Sequence, residues 1–308
     1  MSAFTIVVPC STSNLGAGFD AVGIALGGPD LIVRATTGGE GLRISRLIGE
    51  GEDLLPRDCT NRVVEAAYAA ARVVGADPAR LAAELEIHSA IPLRRGLGSS
   101  AAAALAGALL ADRLLDGALG PARIVDVAVS MEGHPDNVVP SMYGGAQVAI
   151  LDAGGATRSC PIAIGVPLKA AIFIPDQELA TSAARSVLPA QVPFADAVHN
   201  LGRAALFVAA LSQGRTELLA EAMDDRLHQP ARSNLLTWLP DLLADARAAG
   251  AFGAALSGAG TTVLALCGPD TARAVAHRMG ERANQRGIAG RAEVVDVGVQ
   301  GARIKSVS

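Results

Sequence analysis

Two glycines separated by one residue, Gly96 and Gly98, run straight into Ser99-Ser100 and then an alanine- and leucine-rich stretch over 101–115. That order restricts the local fold more than any other feature of the chain. Glycine lets the backbone take left-handed turns that side chains resist. The alanines that follow favour a helix, whose first turn leaves N–H groups unpaired and aims the positive end of its dipole back at the bend. Backbone amides in such a bend can cradle a phosphate, and a serine hydroxyl beside them can reach a magnesium ion. No lysine precedes the serines as in GxxxxGK loops, and a GxGxxG fingerprint is missing. A helix N-cap with a flexible lead-in explains the same residues, so this segment alone leaves both readings open.

Around it, short runs rich in β-branched residues predict strands over 5–8, 31–35, 85–89, 146–151, 169–174, 263–266 and 293–297. Helical patterns cover 61–74, 100–115, 121–131, 195–211, 216–223, 240–249 and 271–286. Pro121 and Pro240 stand where a first helical turn tolerates proline, and Gly75 and Gly250 stand just past helix ends. Strands and helices mix irregularly, which predicts an α+β fold rather than a doubly wound parallel sheet. A length of 308 residues allows two domains, each with its own core. The glycine-rich, weakly patterned stretch 152–166 is the expected junction.

Composition removes several function classes. A net charge of −4 without a Lys/Arg block argues against a general nucleic-acid binder, and 3% aromatic residues against a base-stacking surface. With half the residues hydrophobic and 18% charged, the chain is not largely disordered. Cys10, Cys59, Cys160 and Cys267 form neither a CxxC pair nor a Cys/His cluster. Neither a zinc site nor a disulfide framework follows, and four buried or half-buried thiols are expected. No basic residue precedes the apolar run within Met1–Asn14, unlike a signal peptide. The longest apolar helix, 101–111, falls short of the ~18–20 residues a membrane span needs. The expectation is a soluble, cytoplasmic protein with no nucleic-acid or membrane partner.

Three other segments concentrate polar chemistry. Pro9-Cys10-Ser11-Thr12-Ser13-Asn14-Leu15-Gly16-Ala17-Gly18-Phe19-Asp20 follows a strand and reads equally as a polar strand-to-strand connection. Leu256-Ser257-Gly258-Ala259-Gly260-Thr261-Thr262 leads into a strand and is by itself an ordinary turn sequence. Met131-Glu132-Gly133-His134-Pro135-Asp136-Asn137 places two carboxylates, an imidazole and an amide together, a polarity that a surface turn explains better than core packing.

Taken in order, these segments resemble the motifs of the GHMP small-molecule kinases. The run Pro92-Leu93-Arg94-Arg95-Gly96-Leu97-Gly98-Ser99-Ser100-Ala101 is similar to the family's central phosphate-binding motif, and Ser257-Gly258-Ala259-Gly260 to its C-terminal glycine motif. Ala17 and Ala259 stand where proline and serine are frequent, and neither carries the inferred chemistry. The resemblance implies a two-domain GHMP fold. Its N-terminal nucleotide-binding domain (1–155) resembles ribosomal protein S5 domain 2, and its C-terminal substrate domain (156–308) is ferredoxin-like.

Within the family, the segments around Asn14, Glu132 and His134 resemble members that act on L-homoserine. So do Thr181-x-x-x-Arg185-x-Val187-Leu188-Pro189 and His228-x-Pro230-x-Arg232. The implied reaction is ATP-dependent phosphorylation of the homoserine hydroxyl to O-phospho-L-homoserine, in threonine biosynthesis, and the resemblance also implies a homodimer. A mevalonate-type GHMP kinase and a non-catalytic ligand-binding protein of the same fold are the alternatives.

By the same resemblance, residues 92–101 together with Ser257, Gly258 and Gly260 hold ATP, with Asn61 and Val63 beside the adenine. Ser100 and Glu132 hold Mg²⁺. Asp20 meets the substrate ammonium, and Arg185 and Arg232 its carboxylate. Asn14, His134, Asn137 and Thr181 complete the lining, with Asn137 near the reacting hydroxyl. Asn137, Asp20 and Glu132 form the catalytic set, which works by alignment and charge neutralisation rather than through an obligatory base.

Overall fold

A computed structural model of the chain describes residues 2–307. Strands β1 (Ala3–Asn14), β2 (Gly18–Thr37) and β3 (Leu42–Gly49) lead to helix α1 (Arg62–Val73). Strand β4 (Ala83–Ser89) precedes α2 (Ser99–Leu114), α3 (Gly120–Glu132) and α4 (Val138–Tyr143). The hairpin β5 (Ala146–Leu151) and β6 (Thr157–Ile162) follows. Next come β7 (Lys169–Pro175), α5 (Thr181–Ser186), α6 (Phe194–Gln213), α7 (Leu219–Ala222), α8 (Gln229–Ser233) and α9 (Leu239–Ala248). Then β8 (Gly253–Leu256), β9 (Val263–Cys267), α10 (Ala272–Gln285), β10 (Gly290–Asp296) and β11 (Arg303–Val307) complete the order.

The strands form two sheets, in keeping with the α+β expectation. A seven-stranded sheet runs β11-β1-β2-β4-β3, with β5 also paired to β2 and β6 to β5. All its pairs are antiparallel except β3 with β4. A four-stranded antiparallel sheet runs β10-β7-β9-β8. The larger hydrophobic core joins the larger sheet to α1, α2 and α3 and continues onto one face of the smaller sheet with α6 and α7. A second core packs α9 and α10 on the other face of β7, β8 and β9.

Helix α2 is buried on nearly every side, which is why its sequence shows almost no polar face. Burying each of Leu105, Leu109 and Leu110 contributes about 1.5–3 kcal/mol. Helix α1 starts at Asn61, whose side chain accepts the Val63 N–H at 3.0 Å, a standard N-cap.

Several expectations are corrected. Residues 9–14 are strand, because β1 continues to Asn14 with Ser11, Thr12, Ser13 and Asn14 all buried. Their polar groups bond across to Asn137, Ser257 and Gly258, so the strand extends into polar territory without leaving them unsatisfied. The 131–140 segment is no surface turn either, since Asp136, Asn137 and the first four residues of α4 are buried. Its six-residue helix, with Pro140 inside, gives too little periodicity to be seen. The stretch 152–166 contains the β5–β6 turn and β6 itself, and the cut at 155/156 falls within that turn. Strands β6 and β11 belong to the larger sheet. Cys10 and Cys267 are buried, whereas Cys59 and Cys160 are exposed. No helix among the described residues is long and apolar enough to cross a membrane.

Candidate active site

The bend before α2 is built as its glycines require. Gly96 and Gly98 both have φ of +73°, and Arg94 is left-handed at +54°. A Cβ on Gly96 would lie 2.0 Å from the Ser257 carbonyl oxygen, and one on Gly98 would lie 2.5 Å from Ser11 Oγ. Ser257 Oγ donates to Gly96 O at 2.6 Å and lies 2.8 Å from Thr12 Oγ1. Gly258 N–H reaches Ser13 O, and Thr262 N–H reaches Arg95 O. Arg95 fastens the other flank, with Nε donating to Pro175 O and Nη2 to Asp176 O, both at 2.8 Å. The 256–262 segment therefore braces the bend against β1, and the bend is rigid before any ligand arrives.

Two adjoining cavities meet at the mouth of α2. One, of about 580 Å³, is walled by Leu31, Leu47, Leu55, Ile87 and Leu93, with Asn61 and Val63 at its edge. The other, of about 130 Å³, collects the bend with Asn14, Asp20, Glu132, His134, Asn137, Thr181, Arg185, Arg232 and Gly258. Arg94, Ser99 and Ser100 line both. Of the residues singled out from the sequence, only Ser257 and Gly260 line neither; they stand behind the bend, with Gly260 N–H donating to Ser257 O. Asn61 and Asn14 reach the cavities with their amides already engaged. Asn61 bonds Val63 N and Pro56 O, while Asn14 bonds Gly258 O and Asp20 N.

Charge is arranged in three groups. Ser100 Oγ donates to Glu132 Oε1 at 2.7 Å, and Arg62 Nη2 meets the same oxygen at 2.7 Å. Hydroxyl and carboxylate oxygens this close suit a hard cation such as Mg²⁺. His134 Nδ1 lies 2.6 Å from Oδ1 of the buried Asp136. Burial alone would favour the neutral ring, but the bond to and charge of Asp136 outweigh it and hold the His134 pKa above its ordinary value. Arg185 meets Asp20 through two parallel bonds of 2.7 and 3.0 Å, which raises the guanidinium's pKa. The sequence assigns these two residues to opposite ends of a ligand, yet here they neutralise each other.

Arg232 differs from all other arginines of the site. Its residue is 1% exposed. Its guanidinium donates to Ala184 O, Gly258 O and His228 Nδ1, and Nη2 has no acceptor among the described residues. Burial and the nearby Arg185 pull its pKa down to about 10. Asp20 and Asp136 lie near enough to favour its charge, but neither bonds it directly, and a buried cation without a bonded carboxylate is costly unless a ligand supplies one. Asp136, Arg62 and Ser13 are the site residues that sequence reasoning missed. Asp136 and Ser13 stand inside two of the polar segments read from the sequence, whereas nothing local marks Arg62.

The glycine bend, the apolar cavity and the Ser100–Glu132 pair thus meet in one cleft at the mouth of α2. Residues 61–145 match the family described as GHMP kinases N terminal domain, and residues 207–285 match GHMP kinases C terminal. The chain belongs to the GHMP kinases. It is similar to a homoserine kinase of Solibacter usitatus, 42% identical over 85% of this chain and 84% of that one. A homoserine kinase of Moorella thermoacetica is 40% identical over 84% and 86%. The crystal structure of homoserine kinase from Cytophaga hutchinsonii superposes with a TM-score of 0.89 at 28% identity, covering 99% of this chain and 98% of that one.

Proposed function

We propose that this chain transfers the γ-phosphoryl group of ATP to the side-chain hydroxyl of L-homoserine, giving O-phospho-L-homoserine for threonine synthesis. The observation that carries the reading is Arg232, a buried guanidinium that lines the cavity with Nη2 free among the described residues. An amino acid brings the missing carboxylate and, in its ammonium, a partner for Asp20. Binding would exchange the Arg185–Asp20 pair for two ligand contacts of the same charge types, with the ligand carboxylate shared between Arg185 and Arg232.

In this reading the backbone N–H groups over 96–100 hold the phosphates, with the adenine in the apolar slot beside Asn61 and Val63. Ser100 and Glu132 would hold Mg²⁺, which supplies charge neutralisation at the phosphates when bound. Thr181, His134 and Asn137 face the amino acid, with Asn137 beside the attacking hydroxyl. Asn14 acts at one remove, fixing the backbone of Asp20. Phosphoryl transfer asks chiefly for alignment, so the hydroxyl proton passes to the transferred phosphate without a dedicated base.

A cytoplasmic homodimer completes the proposal. Phe194, Val198 and Leu201 are exposed at helical spacing on α6, which supports self-association, and sedimentation measures it. The decisive experiment for function is ADP release measured with homoserine, mevalonate, shikimate and galactose. Turnover with homoserine alone is the expected result. Turnover with mevalonate, which lacks an ammonium, removes the substrate assignment.

A further inference from the structure

His228 precedes Arg232 by one helical turn at the start of α8, and both are buried. Its Nε2 lies 2.9 Å from Gly16 O, and its Nδ1 lies 3.0 Å from Arg232 Nη1. A guanidinium only donates and a carbonyl oxygen only accepts. Both contacts are therefore satisfied by one form of the ring, the neutral tautomer with its proton on Nε2.

We propose that His228 is a positioning residue for the amino-acid substrate: its Nδ1 lone pair fixes Nη1 of Arg232 and leaves Nη2 aimed at the ligand carboxylate. The proposal rests on the role given to Arg232 above. It explains why a buried imidazole stands between two distant parts of the site. Gly16 lies in the turn that leads to Asp20, so one ring joins the ammonium side of the cavity to the carboxylate side. The distance between an α-ammonium and an α-carboxylate is thereby set by the protein before binding.

The surroundings hold the ring in that role. Asp225 accepts the N–H groups of Leu227, His228 and Gln229 and is itself held by Asn200 Nδ2, which anchors the backbone at the start of α8. The imidazole stacks on Phe19 at 5.0 Å between centroids. The guanidinium carbons of Arg185 and Arg232 also lie over that phenyl ring, at 5.6 and 5.5 Å. Asp225 Oδ2 also lies 3.5 Å from Nε2 and favours the charged ring, but burial, together with the Arg232 charge, outweighs it and keeps the imidazole pKa below its ordinary value, which favours the neutral form.

Two substitutions separate the two contacts. His228→Asn can place a carbonyl oxygen near Nδ1 and keep an acceptor for Arg232. His228→Gln can place an amide nitrogen near Nε2 and keep only the donor to Gly16. Kinetics with homoserine varied at saturating MgATP, and the reverse, give the readout. His228→Gln is expected to raise the homoserine KM about tenfold, His228→Asn by less than about threefold, and neither to move the MgATP KM. Equal effects from both variants, or none from either, overturn the proposal. Arg232→Met in the same assay tests the underlying reading. An unchanged homoserine KM there removes the role of Arg232 itself, whereas a raised KM with silent His228 variants removes only that of His228. For a variant that does not fold, nitrogen-15 NMR of the histidine-labelled natural chain reads the tautomer. The signal in contact with the Phe19 ring must report a neutral, Nε2-protonated imidazole, and a proton on Nδ1 overturns the proposal.

Discussion

On the phosphate side of the cleft, the bend at 94–98 is pinned by hydrogen bonds from Ser257, Thr262 and Arg95, and its glycines leave no room for a Cβ. On the amino-acid side, Asp20, Arg185, Arg232 and His134 come from four separate segments; Asp20, Arg185 and His134 are held by charged partners, and Arg232 by two backbone carbonyls and His228. The first region is preorganised in backbone, the second in side chains whose pairing a ligand can exchange. Preorganised backbone gives one geometry for every nucleotide, while exchangeable ion pairs let the second region discriminate between substrates.

Four measurements break or sharpen that contrast. Gly96→Ala forces a side chain into a left-handed position against Ser257 O, and a displaced cradle is expected to lose about 10²-fold or more in kcat/KM for both substrates. A variant with normal kinetics and melting temperature shows that the bend is not rigid. Arg185→Ala deletes one charged contact and is expected to lower kcat/KM for homoserine roughly 10- to 150-fold, about 1.5–3 kcal/mol, with the MgATP KM unmoved. A parallel rise in the MgATP KM ties the two regions together.

Asp20→Asn keeps the shape and removes the charge, so the homoserine KM is expected to rise about tenfold with kcat at saturation little changed. A collapse of kcat instead makes Asp20 a base. The smallest effect concerns His134. Its pKa is raised in the folded state, so its pair with Asp136 stabilises in full below the ordinary value of 6.5 and loses that contribution as pH rises through the higher folded value. His134→Asn is therefore expected to lower Tm by a few degrees near pH 6 and by less near pH 9. A gap that widens with pH contradicts the charged pair.

What could be read from the sequence follows the same division. The phosphate bend announces itself because glycine spacing and an alanine-rich helix are local signals, and α1, α2, α3 and α10 begin and end close to where their patterns do. The polar end of β1 does not, because Ser11 and Thr12 are tolerable in the interior only through Asn137 and Ser257, far along the chain, and the buried α4 does not, because six residues are too few to show a period. The pairing of Asp20 with Arg185 spans 165 positions and leaves no mark in either neighbourhood. His228 was visible as part of a motif, but its ring's task depends on where Gly16 and Arg232 meet it.

The antiparallel register of β1 with β11, from Ala3 opposite Val307 to Val7 opposite Arg303, bears on how the protein comes off the ribosome. Strand β1 is made before β11, so one of its flanks waits for a partner that follows both cores and the catalytic cleft in the chain. Until then that flank offers open hydrogen-bonding groups to any passing strand. Deleting β11 should therefore show itself first as aggregation of newly made chains rather than as a defect in phosphoryl transfer.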